Sequence, residues 1–298
     1  KVDELGGHVA RVDVLRPGFI NFHLSERAGQ SILQQVLSQR EQFGRIAYGQ
    51  GEKIQIEFVS ANPTGPLSVA HARQAAVGDA LGNILHFVGF DVTKEYYVND
   101  EGNQINILGK SIQLRAQRLM GEQVLFPEDC YQGEYIKDMA REFCELRGIK
   151  DLNGVKNLRM EDFREYGLND LLGVIRKELD DFGVRFDAWT NQSEVATAAR
   201  IEKLLKELEQ QGHVYAHDGA LWFKSTAYGD DKDRVVKKSD GAYTYFTPDI
   251  VYHQDKFRRG FKRVINIWGP DHHGYIPRLT AAIEALGQPR SALQVIIV

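Results

Sequence analysis

The sequence contains little cysteine and no long apolar run, and these shortages exclude several classes of protein. Its 298 residues include two cysteines, Cys130 and Cys144, too few for the disulfide framework of a small secreted protein. No apolar stretch approaches the roughly 18 residues that a membrane-spanning helix requires. The segment opening at Lys1 has neither a basic start nor an apolar signal stretch. We therefore expect a cytoplasmic protein without a membrane span.

The sequence also lacks a strong excess of charge of either sign. Its 37 basic and 41 acidic residues give a formal net charge of -4, so the chain as a whole does not attract polyanions. A nucleic-acid partner would need local patches, although such charges are also typical of an ordinary solvated surface. The candidate patches are Lys237 with Lys238, and the cluster Lys256, Arg258, Arg259, Lys262 and Arg263.

The first half of the chain predicts a parallel strand–helix–strand unit. Residues 54–59 alternate like a strand, a loop rich in proline follows, a helix starts near His71, and residues 92–98 form the next strand. Such connections are normally right-handed, and ligands bind beyond the carboxyl ends of the strands. We therefore expect functional residues between Glu57 and His71.

The same unit recurs near the end of the sequence. A strand at 264–268, a turn at 269–274, a helix ending at Gly287 and a strand at 293–298 repeat the pattern. Between the two units we expect four helices and two hairpins that turn on Asp-Gly pairs. These lie at 102–119, 134–147, 168–182 and 196–211, and at Asp218-Gly219 and Asp240-Gly241. This order favours a nucleotide-binding α/β fold split by a long insertion.

Two local patterns carry the candidate chemistry. His71 stands at the amino end of a helix, where free N–H groups and the helix dipole favour anions such as phosphate. Thr247 can cap a helix that Pro248 begins, which places Asp249 in its first turn and Tyr245 at the end of the preceding strand. The structural alternatives are a stiff loop before His71, and an Asp249 that only complements its helix dipole while Tyr245 packs in the core.

Several long segments together resemble bacterial arginyl-tRNA synthetases, in order and over nearly the whole chain. They are I-E-F-V-S-A-N-P-T-G-P-L-S-V-A-H at 56–71, G-F-D-V-T-K-E-Y-Y-V-N-D-E-G-N-Q-I at 89–105, D-G-A-Y-T-Y-F-T-P-D-I-V-Y-H at 240–253 and W-G-P-D-H-H-G-Y-I-P-R-L at 268–279. The resemblance implies an α/β, Rossmann-type class I synthetase catalytic domain with a long α+β insertion. It further implies that L-arginine and ATP form arginyl-adenylate and that the arginyl group passes to tRNA(Arg).

The same resemblance implies roles for individual residues. Catalysis is expected of His71 and Ser68, acting on the phosphates. Amino-acid binding is expected of Glu57, Ser60, Asn62, Tyr245, Asp249 and Gln192, although Glu57 is equally suited to a structural ion pair. ATP binding is expected of Pro63, Gly65, Ser68, His71, Gly269, Asp271 and His272. The interpretation requires that His71 and Asp249 open onto one shared cleft.

Three positions depart from the family pattern and keep a second hypothesis open. Ser68 replaces the first histidine of the His-Ile-Gly-His motif, Ala70 replaces its glycine, and Gln192 replaces an acidic residue, for which Glu194 is a nearby substitute. These changes would suit a non-catalytic paralogue that binds nucleotide or RNA. A small nucleotidyltransferase is disfavoured by the long insertion and by the pair Tyr245 and Asp249.

The resemblance also predicts domain boundaries and partners. Residues 1–50 correspond to the tail of an amino-terminal tRNA-contacting domain, 51–120 and 241–298 to the two halves of the catalytic domain, and 121–240 to the insertion. The Lys-Met-Ser-Lys-Ser loop and the anticodon-binding domain would follow Val298, so the isolated fragment is expected to be poorly active. Magnesium is expected only with ATP, because no third ligand with zinc-like spacing accompanies His272 and His273. A monomer is expected.

Overall fold

A computed structural model describes residues 6–298, so the first five residues of the predicted leading segment lie outside the description. The chain alternates strands and helices, with short three-ten turns between some of them. In chain order the elements are β1 (Val9–Leu15), β2 (Phe19–Leu24), α1 (Glu26–Gln39), β3 (Lys53–Phe58), α2 (Val69–Phe87), β4 (Asp91–Val98), α3 (Asn103–Leu119), α4 (Glu134–Leu146), α5 (Leu152–Lys156), α6 (Met160–Asp181), β5 (Ala188–Asn191), α7 (Gln192–Val195), α8 (Ala198–Gln210), β6 (Val214–His217), β7 (Ala220–Phe223), β8 (Arg234–Lys237), α9 (Phe246–Arg258), β9 (Arg263–Trp268), α10 (Ile276–Ala285) and β10 (Leu293–Ile297).

A five-stranded parallel sheet in the order β10-β9-β3-β4-β5 forms the centre of the fold. The chain runs outward from β3 through β4 to β5, then returns to the other side of β3 with β9 and β10. Strand order therefore reverses between β3 and β9, and such a switch point opens a crevice at the carboxyl ends of the strands. The predicted α/β class and four of the five parallel strands are confirmed, whereas β5 was not predicted.

The two faces of β3 have opposite chemistry because its residues alternate. Ile54, Ile56 and Phe58 are fully buried and face α2. That helix lies close to the strand, since a Cβ added at Gly78 would stand 2.3 Å from the Phe58 ring. The opposite face carries Glu57 and packs against α9. One strand thus supplies a dry packing surface for α2 and a polar surface for the cleft.

The polypeptide between the sheet strands forms two further packed units. Helices α3, α4 and α6 enclose an apolar core that includes Leu108, Ile112, Phe143 and Phe163. The antiparallel strands β6, β7 and β8 share a second core with α8, α9 and α10. The Asp218-Gly219 hairpin prediction is confirmed by the pairing of β6 with β7. The domain boundaries given by the resemblance stay a prediction.

The leading segment contains two strands followed by a helix. Strands β1 and β2 pair as an antiparallel hairpin ahead of α1. Apolar side chains of the hairpin and helix are exposed, among them Phe19 at 67% and Leu37 at 67%. Among residues 6–298, no helix combines the length and apolar character needed to cross a bilayer.

Three sequence predictions around α9 are wrong. The Thr247 hydroxyl does not cap the helix but donates to the carbonyl of Val236, 2.6 Å away, because α9 already begins at Phe246. Tyr245 is accordingly the residue before the helix rather than the end of a strand. Lys256 does not belong to a basic surface patch, since it is fully buried. The prediction that Asp249 lies in the first turn of the helix is confirmed.

Candidate active site

A cleft of about 950 Å³ opens at the carboxyl ends of β3 and β9. His71 and Asp249 both line it, so the predicted shared cleft is confirmed. The predicted residues found in its lining are Glu57, Ser60, Asn62, His71, Gln192, Tyr245, Asp249, Gly269, Asp271 and His272. Three other predicted residues, Pro63, Gly65 and Ser68, lie in the adjoining loop outside the lining.

The backbone turns sharply where β3 enters the cleft. Val59 and Ser60 both adopt positive φ angles, 66° and 39°, which are unfavourable for side chains of their type. Hydrogen bonds from β4 hold this conformation: the backbone N–H of Tyr97 donates to the Ser60 hydroxyl at 3.0 Å, and the Tyr96 hydroxyl donates to the Ala61 carbonyl at 2.8 Å. The turn therefore directs the chain across the end of the sheet.

Helices α4 and α6 of the insertion form hydrogen bonds to the loop between β3 and α2. The Tyr135 hydroxyl of α4 donates to the Thr64 carbonyl at 2.6 Å, and the backbone N–H of Leu67 donates to Glu178 of α6 at 3.3 Å. A Cβ at Gly65 would stand 3.3 Å from the Tyr135 hydroxyl oxygen. Gly65 thus permits the close approach by which α4 holds this loop.

Ser68 orients His71. The backbone N–H of Ser68 donates to His71 Nδ1 at 3.0 Å, and the Ser68 hydroxyl lies 3.2 Å from the same nitrogen. Because Nδ1 accepts this bond, the proton of the neutral ring resides on Nε2. Burial lowers the pKa of His71, and the nearby Asp271 carboxylate partly opposes this. His71 is therefore a neutral hydrogen-bond donor at the amino end of α2.

Asp249 is a partly desolvated carboxyl group on the opposite wall of the cleft. The Tyr275 hydroxyl donates a short hydrogen bond to its Oδ2. Burial raises the pKa of Asp249 to about 7, Tyr275 and Lys256 oppose this rise, and the charge of Glu57 adds to it. Such a group strongly favours a cationic ligand that would restore its charge.

Tyr245 lies at the rim of the cleft rather than in the core. Its side chain is 69% exposed, which contradicts the core-packing alternative. The Tyr245 hydroxyl accepts a hydrogen bond from Arg278 at 2.9 Å, and its ring stacks on Tyr275 with centroids 5.9 Å apart. Tyr275 and Arg278 were both missed from the sequence, because only the fold brings α10 beside the start of α9.

Gln192, not Glu194, is the insertion residue that lines the cleft. Its side-chain oxygen accepts a hydrogen bond from the Tyr97 hydroxyl at 3.2 Å. Glu194 is exposed and accepts from the Asn191 amide at 3.4 Å. The short strand β5 explains the placement, since it delivers Gln192 directly to the carboxyl edge of the sheet.

Glu57 both lines the cleft and forms a buried ion pair. Lys256 Nζ donates to Glu57 Oε2 at 2.5 Å, and Lys256 also bonds to Asn266 Oδ1 at 3.2 Å. Asn266 and His253 join Glu57 in the lining, and sequence reasoning missed both. Strand register was the available signal for Asn266, because it lies directly opposite Glu57 on β9.

The turn after β9 forms the remaining wall. A Cβ at Gly269 would stand 2.6 Å from Asp271 Oδ1 and 3.5 Å from Gln74, so a larger residue here would have to displace the Asp271 side chain. Asp271 Oδ1 lies 3.1 Å from His272 Nδ1 while its side chain remains 75% exposed. Within the described part of the chain, no three histidine, cysteine or acidic side chains form a group suited to a metal ion.

Comparisons with known proteins agree on one family. Residues 32–295 match the model of the class I tRNA synthetases (R), catalytic domain. The chain is 48% identical over 298 residues to arginine–tRNA ligase 1 of Halalkalibacterium halodurans, with 100% of the chain and 54% of that relative covered. It is 49% identical to arginine–tRNA ligase of Geobacillus kaustophilus over 97% of the chain and 52% of the relative. The chain thus spans about half the length of the curated relatives that it matches.

Solved structures give the same result. A crystal structure from Campylobacter jejuni, described as an arginyl-tRNA synthetase, superimposes with a TM-score of 0.83 at 37% identity and covers 92% of this chain and 60% of that one. The Thermus thermophilus arginyl-tRNA synthetase superimposes with a TM-score of 0.61 at 21% identity, covering 97% of this chain and 54% of the other, and supports the fold alone. The chain therefore belongs to the family of class I arginyl-tRNA synthetase catalytic domains.

Proposed function

We propose that this chain provides the catalytic site of an arginine–tRNA ligase, which activates L-arginine with ATP and transfers the arginyl group to tRNA(Arg). One observation carries the proposal: the carboxyl group of Asp249 and the helix start at His71 face a single cleft. A cation-binding wall and an anion-binding wall in one cleft suit the joining of arginine to a triphosphate. Names and folds of the relatives point to the same reaction.

Asp249 is proposed to bind the arginine guanidinium. A planar guanidinium presents paired donors that match the two carboxylate oxygens, a geometry that the point charge of lysine does not offer. Gln192 and Tyr245 are proposed to complete this pocket, since both lie in the same lining. Gln192 contributes an acceptor without charge, so the ionised form of Asp249 carries the attraction.

The other end of the amino acid is proposed to lie against Glu57. Lys256 occupies Glu57 Oε2, which leaves Oε1 to accept a bond from the α-ammonium group. Ser60 and Asn62 lie beside it in the lining and supply polar contacts. This arrangement would place the substrate carboxylate toward the centre of the cleft, where it attacks the α-phosphate of ATP.

ATP is proposed to bind between α2 and the turn after β9. The Nε2–H of His71 is available to the phosphates, where negative charge grows in the transition state. Gly269, Asp271 and His272 are proposed to receive the ribose and adenine. Pro63, Gly65 and Ser68 act in this proposal by shaping the loop and orienting His71. Magnesium enters as part of the ATP substrate complex.

The proposal extends to partners and location. We propose a cytoplasmic monomer that binds tRNA through regions including the leading segment 1–50, with 121–240 as the insertion between the catalytic halves 51–120 and 241–298. Both cysteines are buried free thiols, which suits a reducing compartment. The proposal that tRNA is a partner is based on the relatives, which are arginine–tRNA ligases by name.

A non-catalytic nucleotide- or RNA-binding role is the second candidate. Ser68, Ala70 and Gln192 favour it, because each replaces a residue of the family pattern. The two functions differ in one measurable respect: a binding protein retains affinity for ATP but forms no arginyl-adenylate.

ATP–pyrophosphate exchange tests the proposal. The full-length protein, supplied with arginine, ATP and tRNA(Arg), is expected to catalyse exchange, and Asp249→Ala is expected to abolish it. Asp138→Asn is the control, because this residue is an exposed member of a surface pair on α4. Absence of exchange in the unmodified protein with retained ATP binding would favour the second candidate. Normal exchange by Asp249→Ala would refute the guanidinium assignment.

A further inference from the structure

Three neighbouring strands place polar side chains side by side beneath the cleft. In the sheet register, Glu57 of β3 lies opposite Glu95 of β4 on one side and Asn266 of β9 on the other. All three are buried, with exposures of 7%, 0% and 0%. A row of polar groups in this position is unfavourable unless each finds a partner. Helix α9 supplies those partners.

Lys256 is the central partner from α9. Its ammonium group is fully buried, lies 2.5 Å from Glu57 Oε2 and 3.2 Å from Asn266 Oδ1, and stands 4.2 Å from the centre of the Tyr252 ring. Lys256 is absent from the cleft lining, whereas Glu57 and Asn266 are part of it. Lys256 therefore acts on the cleft only through the side chains that it holds.

The hydrogen bonds continue from Lys256 toward Asp249. An ammonium group can only donate, so Asn266 turns its oxygen to Lys256 and its NH₂ group to His253 Nε2, 3.0 Å away. With Nε2 accepting, the proton of His253 resides on Nδ1, which lies 2.8 Å from the backbone carbonyl of Asp249. The Lys256 ammonium at one end and the Asp249 carbonyl at the other thus require the same direction for each hydrogen bond between Glu57 and the first turn of α9.

Glu95 has a separate set of partners. Arg259 forms two bonds to it at 2.8 and 3.0 Å, and the hydroxyls of Tyr252 and Thr190 donate to it at 2.8 and 2.7 Å. Glu95 therefore finds its hydrogen-bond partners without Lys256. Of these two glutamates, Glu57 is the one that the Lys256 ammonium bonds directly.

We propose that Lys256 is a positioning residue for the amino-acid substrate. It holds the Glu57 side chain through Oε2 so that Oε1 receives the α-ammonium group. Through Asn266 and His253 it also fixes the turn of α9 that carries Asp249. Both ends of arginine are therefore held at a spacing set by one buried cation. This inference rests on the proposed function and names the residue that connects its two binding groups.

Desamino-arginine keeps the guanidinium and carboxylate but lacks the α-amino group. It therefore separates the effect of Lys256 on Glu57 from its effect on the turn that carries Asp249. In the unmodified full-length protein, arginine is expected to bind at least about tenfold more tightly than this analogue, because a charge-assisted bond to Glu57 is lost. In Lys256→Met that ratio is expected to fall toward one although Glu57 is intact. Lys262→Met, at an exposed lysine just after α9, is the control and should keep the original ratio.

Glu57→Gln distinguishes failure of this inference from failure of the proposed function. Suppose that Glu57→Gln brings the affinity ratio close to one, whereas a folded Lys256→Met keeps the ratio of the unmodified protein. Glu57 then binds the ammonium without help, and the role of Lys256 is refuted. If Glu57→Gln retains the ratio, the amino-acid site itself is wrongly assigned. Calorimetric titration of the unmodified protein and of each variant, with arginine and with the analogue, gives the ratio for each protein.

A measurement on the unmodified protein covers the case in which Lys256→Met does not fold, since an unpaired buried carboxylate is strongly destabilising. Nitrogen NMR of labelled histidine, with His253 assigned from His253→Gln, reports which ring nitrogen carries the proton. The inference requires a neutral ring protonated at Nδ1. A proton on Nε2 would mean that the hydrogen-bond direction is not set by Lys256 and would overturn the proposal.

Discussion

The Tyr275 hydroxyl donates to Oδ2 of Asp249, so a residue of the turn after β9 stabilises the ionised form of the carboxyl group at the start of α9. This bond opposes burial, which raises the pKa of Asp249 to about 7. Without a ligand, the group is close to half ionised at neutral pH. Its charge state is therefore coupled to the binding of a cation.

Arginine affinity is expected to depend on pH through Asp249. A guanidinium needs the ionised carboxylate, so binding at pH 6 must first remove a proton, and affinity should fall by about tenfold relative to pH 8. Tyr275→Phe removes a bond that favours ionisation and should move the transition to higher pH. Calorimetric titrations from pH 5.5 to 8.5 measure both effects. An affinity that stays constant between pH 6 and pH 8 would contradict the assignment.

Asp249 is also expected to reduce the stability of the ligand-free protein. Its folded pKa lies above the unfolded value of about 3.9, so stability falls as pH rises between these values. Asp249→Asn should therefore raise the free energy of unfolding at pH 8 by on the order of 1 to 4 kcal/mol, with the gain vanishing below about pH 4. Denaturant titration of the folded protein at several pH values measures this.

Asp230→Asn is the matched control, because its expected change in the free energy of unfolding at pH 8 has the opposite sign. Arg234 bonds to Asp230 at 2.7 and 2.9 Å and outweighs burial, so the pKa of this carboxyl is lowered. Its contribution to stability is present above the unfolded pKa and is lost as pH falls through the folded pKa. Asp230→Asn should therefore destabilise the protein at pH 8. A loss of stability in both variants would show that Asp249 carries no such penalty.

The sequence predicted those features that depend on local pattern. The alternation at 54–59 and the helical spacing after His71 were sufficient for β3 and α2, because a buried strand and its covering helix leave strong periodic signals. Asp249 could be placed in a first turn because Pro248 favours the start of a helix. Helix α2 and the first turn of α9 carry His71 and Asp249, which are proposed to bind ATP and arginine.

The features that were missed depend on contacts between distant segments. Lys256 follows a short run of polar residues that is typical of a solvated helix. Its burial depends on the register of Glu57 with Asn266, which places two hydrogen-bond acceptors beside its ammonium group. Strand β5 has four residues and no clear alternation, so its position at the sheet edge follows from pairing with β4. Pairing of this kind leaves no mark in a single sequence.

The contact between α2 and β3 predicts a sharp response at Gly78. A Cβ there would stand 2.3 Å from the Phe58 ring, so Gly78→Ala must displace that ring or move the helix away from the strand. We expect a loss of stability of about 1 to 3 kcal/mol, with lower exchange activity because α2 carries His71. Gly173→Ala is the control: no atom lies within 4 Å of its added Cβ in α6. The Tm of this control, measured by thermal unfolding, should rise, because helix propensity favours alanine over glycine.

Ser68 and His71 are expected to differ in their effect on the rate. The backbone N–H of Ser68 makes the 3.0 Å bond that fixes the His71 ring, and Ser68→Ala keeps that group. We therefore expect less than about a fivefold loss of exchange for Ser68→Ala but on the order of a hundredfold loss for His71→Ala, which removes the proposed donor to the phosphates. Steady-state exchange assays compare the two. Equal losses would mean that the Ser68 hydroxyl itself acts on ATP.

Gln192→Glu tests whether the departure from the family pattern weakens arginine binding. A carboxylate at this position keeps the acceptor for the Tyr97 hydroxyl and adds a negative charge to the lining that also contains Asp249. The KM for arginine should fall several-fold above pH 7, where both carboxylates are ionised, and the benefit should shrink at lower pH, because like charges raise each other's pKa. Glu194→Gln is the control, since Glu194 is exposed and bonds to Asn191 outside the lining. An unchanged KM in Gln192→Glu would mean that Asp249 alone supplies the charge for the guanidinium, whereas a higher KM in Glu194→Gln would show that Glu194 is the acidic partner.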